Sequence, residues 1–287
     1  MKFNHIGIIG KYADTSVSEA LRVLTDYLKA RQLTILLDEA TAGVWPDHGL
    51  EIASREQLGK KCDLAIVVGG DGTFLNAARS LAHHDIALLG LNMGHLGFLT
   101  DISPDQMQEK LDEILSGRYS EEERFLLECR VLRDGEQISQ SEAFNDVVVQ
   151  KWDAARMIEV DTYINGTFVN TMRADGLIVS TPTGSTAYAL SGGGPLMQPC
   201  LNAVVLVPIC PHTMSNRPIV VDAHTVVEVV IKGEEQTHAQ VSCDGQINLG
   251  VVAGDRVQIR KKEHPVKMIH PLDHDHFRIL REKLKWG

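Results

Sequence analysis

The run Leu64-Ala65-Ile66-Val67-Val68, followed at once by Gly69-Gly70-Asp71-Gly72-Thr73, constrains the fold more than any other part of the chain. Five consecutive apolar residues have no polar side to turn toward water, so the run reads as a parallel strand buried on both faces. Beyond the glycines, Phe74, Leu75, Ala77, Ala78 and Leu81 recur at helical spacing. A buried strand, a glycine turn and a helix in succession form a βα unit, and such units assemble into parallel sheets with helices on their faces. Glycine lacks a Cβ, so its N–H can approach a ligand closely. The start of the next helix attracts anions, Thr73 is placed to cap it, and the carboxylate of Asp71 stands in the middle of the turn. Together these features suit a nucleotide phosphate and its metal. The turn is neither a Walker phosphate loop, since no Gly-Lys-Ser/Thr follows, nor a Gly-x-Gly-x-x-Gly fingerprint. A tight turn with a solvated Asp is the plainer alternative.

The same grammar runs from residue 1 to about 117. Strands are expected at 5–9, 33–37, 64–68 and 86–91. A helix over 16–30 aligns Ala20, Leu21, Leu24 and Leu28 on one face. Another has Ser103 at its N-cap, Pro104 in its first turn, Met107, Leu111, Ile114 and Leu115 inward, and Gly117 as its stop. Ligands of such sheets sit beyond the carboxyl ends of the strands, where residues 69–73 and 92–98 both fall. From about 118, past Glu121-Glu122-Glu123, the grammar changes to strands: 125–133, 157–164, 167–173, 177–180, 203–207, 225–232, 239–243 and 256–261. Asn165-Gly166 between two alternating runs is a strong hairpin signal. The fold class is therefore α/β + β. A Rossmann-like α/β domain occupies 1–117, a mostly antiparallel β domain occupies 118–269, and a helix near 275–286 brings 270–287 back onto the first domain.

The 287 residues suit one large or two ordinary domains. Lys and Arg number 28 against 38 Asp and Glu, and the net charge of −10 argues against nonspecific binding to nucleic acid or an anionic membrane. No apolar run reaches the roughly 18 residues of a spanning helix, and residues 1–10 read as a first strand rather than a signal peptide. Cys62, Cys129, Cys200, Cys210 and Cys243 are odd in number and scattered, which implies reduced thiols and a cytoplasmic location.

Two further stretches carry chemistry. Arg173-Ala174-Asp175-Gly176 leads through 177–180 into Thr181-Pro182-Thr183-Gly184-Ser185-Thr186-Ala187-Tyr188-Ala189-Leu190-Ser191-Gly192-Gly193-Gly194-Pro195. Its hydroxyls and backbone amides could grip a ribose, an amide or a phosphate; a polar loop capping a short helix accounts for them equally well. Asn145-Asp146 heads the apolar run 147–149, where a polar pair is costly unless satisfied. A ribose diol would satisfy the carboxylate, as in dinucleotide folds, and a turn-forming Asn-Asp is the alternative. His264, His270, His274 and His276 match no standard ligand spacing. That stretch reads as a solvated segment before the last helix, and no metal-ligand set is assigned.

The ordered set Gly-Gly-Asp-Gly-Thr, Asn-Asp and Asp-Gly-Leu-Ile-Val-Ser-Thr-Pro-Thr-Gly-Ser-Thr-Ala-Tyr closely resembles the NAD kinases. Residues 92–99, 208–218 and 242–246 also look like segments of that family, so the resemblance covers nearly the whole chain. It implies transfer of the ATP γ-phosphate to the 2′-hydroxyl of the adenosine ribose of NAD, with NAD between the two domains and Mg²⁺ as the divalent cation. It also implies a cytoplasmic homo-oligomer, a dimer or tetramer, whose partners are NAD and ATP. By the same resemblance Asp71 takes the hydroxyl proton, and Gly69, Gly70, Gly72 and Thr73 form the phosphate-donor loop. Asp71, Gly72, Asn145 and Asp146 then contact NAD. So do Asp175, Thr186, Ala187, Tyr188, Ala189, Leu190 and Ser191, with Arg156, Arg173 and Gln246 at further ligand positions. One departure is visible: the family usually carries Asn-Glu where this chain has Asn145-Asp146, which shortens the carboxylate's reach by one methylene. Two other readings remain open, a lipid or sugar-phosphate kinase and a nucleotide sensor without catalysis.

Overall fold

The computed structural model describes residues 2–11, 17–152, 156–234 and 238–286. The chain opens with β1 (His5–Gly10), α1 (Ser18–Ala30), β2 (Thr34–Asp38), α2 (Glu39–Ala42), β3 (Glu51–Ala53), α3 (Arg55–Lys61), β4 (Leu64–Val68), α4 (Asp71–Leu81), β5 (Ala87–Leu91), α5 (Met107–Leu115) and β6 (Ser120–Arg124). There follow β7 (Leu127–Arg133), β8 (Glu136–Ala143), β9 (Asp146–Lys151), β10 (Ile158–Ile164), β11 (Thr167–Ala174), β12 (Gly176–Ser180) and the one-turn α6 (Tyr188–Ser191). Next come β13 (Ala203–Ile209), β14 (Ile219–Asp222), β15 (Val227–Lys232), β16 (His238–Cys243), β17 (Ile247–Val252), β18 (Arg256–Lys261), β19 (Val266–His270) and α7 (His276–Leu284). Two compact units result, one of Met1–Glu123 with Val266–Gly287, the other of Arg124–Pro265. Their borders, 123/124 and 265/266, differ by a few residues from the 117/118 and 269/270 expected from the sequence. Among the described residues no helix is long and apolar enough to cross a membrane.

The first unit is built on a seven-stranded sheet in the order β3-β2-β1-β4-β5-β19-β6. Strands β1 to β5 pair in parallel, and β19 continues the parallel run beside β5. Every residue of β4 and β5 is buried, as their unbroken apolar runs require. Helix α1 turns Leu21, Leu24 and Leu28 into the core, all fully buried, against Ile6, Ile8 and Leu37 of the sheet. Two helix starts differ from expectation. Helix α4 begins at Asp71 with Gly70 as its N-cap, so Thr73 lies inside the first turn instead of capping it. The helix after Ser103 starts as a 3₁₀ turn, Pro104–Gln106, before α5 takes over. Two edge strands, β3 and β6, have no counterpart in the sequence reading.

In the second unit two six-stranded sheets, β11-β10-β15-β18-β7-β8 and β14-β13-β12-β9-β16-β17, turn their apolar faces to one core. Leu127, Val131 and Val229 enter it from one sheet, Val147, Val179 and Val241 from the other. Asn165 and Gly166 take the left-handed backbone (φ +50° and +76°) of the two-residue hairpin expected between β10 and β11. Ala189 and Met197 cover the outer face of the second sheet at Val148, Ile178 and Val205. Strand β12 is thus buried on both sides.

Candidate active site

In the first unit, Gly69-Gly70 continues β4 at its carboxyl end, and the Gly69 N–H donates to the Leu91 carbonyl of β5 at 2.9 Å. Gly70 is the N-cap of α4 and brings no side chain of its own to the positive end of the helix dipole. A Cβ at Gly70 would meet nothing within 4 Å. The turn therefore opens onto space that phosphate oxygens can enter. Asp71 does not hang in solvent. Its Oδ2 accepts the Phe98 N–H and its Oδ1 the Leu99 N–H, both at 2.9 Å, and the Thr100 hydroxyl reaches Oδ1 at 3.5 Å. A Cβ at Gly97 would overlap Asp71 Oδ1. Asn92 braces this loop, donating to the Thr100 carbonyl at 3.3 Å and accepting the Gly94 N–H at 2.8 Å. The Asp71 carboxylate is thereby fixed in orientation while keeping lone pairs for a further proton or hydrogen bond.

In the second unit, Asn145, Asp146, Ala187 and Tyr188 line a cavity of about 310 Å³, together with Ser242 and Asp244. The first four are among the nucleotide-contact positions expected from the sequence; that expectation gives Asp244 no role. Asp244 is the organiser of the site: its carboxylate accepts the N–H groups of Phe144, Asn145 and Asp146 at 3.0, 2.7 and 3.2 Å. Its place at the β16–β17 turn, before Gly245, gave the only clue, since an Asp-Gly turn is common and its side chain's backbone partners lie far off in sequence. Asp146 is 4% exposed. Burial, and then the charge of Asp244, push its carboxyl up to about 7, against the opposing pull of the Tyr188 N–H. A carboxylate this poorly solvated gains strongly from a donor such as a sugar hydroxyl.

The hydroxyl-rich stretch makes many of its hydrogen bonds within its own loop. The Thr181 hydroxyl donates to the Phe144 carbonyl at 2.7 Å and accepts the Gly184 N–H at 3.1 Å. Ser185 donates to the Pro182 carbonyl at 2.7 Å, and Thr186 to the Thr183 carbonyl at 3.2 Å. These hydrogen bonds shape the loop. A Cβ at Gly184 would overlap the Asn145 carbonyl, so only glycine lets the loop press against the Asn-Asp pair. Of the other expected positions, Ala189 is buried in the core, Leu190 is half-buried and Ser191 exposed. Asp175 pairs with Lys151 at 2.7 Å, and Arg156, Arg173 and Gln246 are exposed. None of these lines the cavity.

Of the C-terminal histidines, His264 is exposed as expected, but His270 and His274 depart from the solvated segment expected of them. His270 ends β19 and is 2% exposed. Its Nδ1 and that of His274 both lie against Oδ2 of Asp101, at 3.2 and 2.5 Å.

Residues 6–119 match the family model described as the ATP-NAD kinase N-terminal domain, and residues 144–271 match the ATP-NAD kinase C-terminal domain. The NAD kinase of Ectopseudomonas mendocina is 51% identical over 286 residues, covering 100% of this chain and 97% of that protein. The NAD kinase of Nitrosococcus oceani is 50% identical over 285 residues, covering 99% and 97%. Among solved structures, yeast NADH kinase complexed with NADH shares the fold, with a TM-score of 0.90 at 23% identity over 100% of this chain and 89% of that one. An NAD kinase from Archaeoglobus fulgidus in complex with ATP gives a TM-score of 0.77 at 27% identity over 99% and 100%. With both domain models matched and half the residues shared along the full length, the chain belongs to the ATP-NAD kinase family, the kinases that phosphorylate NAD to NADP.

Proposed function

We propose that Asp71 is the base of this reaction and that the 2′-hydroxyl of the adenosine ribose of NAD is its target. The hydroxyl oxygen forms a bond to the γ-phosphorus of ATP, the bond from that phosphorus to the β-phosphate bridging oxygen breaks, and the hydroxyl proton passes to Asp71. ADP and NADP leave. The observation that carries this reading is the way two loop amides hold both oxygens of Asp71 at the start of α4. Phosphoryl transfer depends chiefly on positioning and on neutralising charge, and a base acts only within hydrogen-bond reach of its proton. Gly69, Gly70, Gly72 and Thr73 offer the phosphates a backbone approach, supported by the open space at Gly70. ATP enters with a divalent cation, magnesium in this reading, which supplies positive charge at the phosphate oxygens.

On the NAD side, Asp146 accepts from the ribose diol, Asn145 holds the adenosine, and Tyr188, 42% exposed at the cavity, packs against a ring. Arg156 and Arg173 offset pyrophosphate charge from the surface, and Gln246 reaches the ligand from its turn. We further infer a cytoplasmic homo-oligomer, a dimer or tetramer.

The test is Asp71→Asn. NAD binding, followed by calorimetry, should persist while turnover falls by about 10²-fold or more, the range for loss of a general base. Near-normal turnover would remove Asp71 from the role.

A further inference from the structure

Asp101, His270 and His274 sit outside the machinery above, and their arrangement is unusual for a plain hydrogen-bonded cluster. A carboxylate serving two imidazoles has two oxygens to share between them. Here both Nδ1 atoms converge on Oδ2, at 3.2 and 2.5 Å, while Oδ1 is buried with no hydrogen-bond partner among the described residues. The three side chains are 7%, 3% and 13% exposed. The imidazole rings are tilted by 30° to each other, with centroids 3.9 Å apart. The three donor atoms fall within 4.8 Å of one another. On the far side of its ring, His270 Nε2 faces Glu122 Oε2 at 3.5 Å. A carboxylate behind a histidine in this way orients metal-ligating imidazoles and raises their basicity.

We propose that Asp101, His270 and His274 form a binding site for a borderline divalent ion of the zinc class, held by two imidazole nitrogens and one carboxylate, with Glu122 as the outer partner of His270. Two nitrogens and an oxygen suit zinc, and three protein ligands leave a fourth position for water. Bonds of about 2.0–2.1 Å in a tetrahedron place ligand atoms roughly 3.3 Å apart. The Asp101–His270 pair already stands at 3.2 Å, His274 has to withdraw by roughly 0.8 Å from its 2.5 Å contact, and the two imidazole nitrogens lie within 4.8 Å of each other. The ion would join the end of β19 and the turn before α7 to Asp101, next to residues 98–100, which hold Asp71. Its place is therefore structural, tightening the loop behind the base rather than touching the nucleotide. The hard cation that accompanies ATP prefers oxygen ligands, so the two metals are chemically distinct.

The full-length protein, stripped with chelator, is incubated with Zn²⁺ in the presence of excess Mg²⁺ and desalted, and the retained zinc is counted. Cobalt loading is read from its visible d–d absorption. The expected result is one equivalent per chain, a tetrahedral cobalt spectrum, and a higher melting temperature with Zn²⁺. His274→Phe and the gentler Asp101→Asn should each lose the equivalent, the spectrum and the thermal shift while keeping a folded circular-dichroism spectrum. Glu122→Gln should bind about 10–100-fold more weakly. Failure of the wild-type protein to retain zinc overturns the proposal. So does equal retention by both ligand variants, since it would place the zinc on others of the 12 histidines or the five cysteines. Neither outcome depends on kinase activity.

Discussion

Replacing Asp146 by Asn should change how stability responds to pH, by an amount that follows from its surroundings. Burial, with Asp244 close by, lifts the carboxyl from 3.8 to about 7. At about 1.4 kcal/mol per pH unit this corresponds to about 4 kcal/mol. The sign follows from which state holds the proton. The folded chain binds it more tightly than the unfolded chain, so between pH ~4 and ~7 folding takes up a proton. The contribution of Asp146 to stability therefore falls as pH rises through that window and is level above it. Asn does not titrate, and every other carboxyl is common to both proteins. Between pH 5 and pH 8 the stability of Asp146→Asn relative to wild type should rise by about 3 kcal/mol. Urea unfolding of the nucleotide-free proteins at the two pH values, followed by circular dichroism, measures it. A stability difference that stays constant between pH 5 and pH 8, or that shrinks, would refute the reasoning.

Two further substitutions probe the supports behind the site. In Asp244→Asn one of the two accepting oxygens becomes an amide nitrogen facing N–H groups that the carboxylate now binds. A stability loss of about 1–3 kcal/mol is expected, with a raised KM for NAD, both read from urea unfolding and steady-state kinetics; an unchanged KM would separate Asp244 from the nucleotide site. Gly97→Ala puts a methyl group where Asp71 Oδ1 lies. Asp71 must shift, so on the proposed role of this residue kcat should fall by about 10²-fold with little change in KM for NAD; a variant with unaltered kcat would show that the loop gives way instead.

Strand β4 and its glycine turn were readable because an unbroken apolar run has few other places to go, and the Asn165-Gly166 hairpin because two left-handed residues in succession favour those types. Strand β6 was not readable. Its sequence, Ser-Glu-Glu-Glu-Arg, looks like a charged linker, and only an edge position tolerates so many charges. Strand β3 spans three residues and leaves Ile52 half exposed, too little for a periodicity. At the site, Asp71 and the Asn145-Asp146 pair stood out because a carboxylate beside glycines or at the head of a buried strand calls for an explanation. Asp244 stayed hidden because its partners are backbone amides about a hundred residues away. The hydroxyls of 180–186 leave two readings open in the sequence because serine and threonine serve loops as readily as ligands. The Asp101–His270 contact spans 169 positions, a distance over which no local spacing rule operates.

The place of β19 between β5 and β6 carries a consequence for synthesis. A ribosome delivers strands β1 to β6 first, then all of Arg124–Pro265, and only then the strand that fills the gap. Until Val266–His270 emerges, the nascent chain carries β5 as an open edge and β6 without its neighbour. An apolar, unpaired edge of this kind is where intermolecular pairing starts and where chaperones bind. The interval between making β6 and making β19 is thus the stage at which this enzyme is most exposed to misassembly.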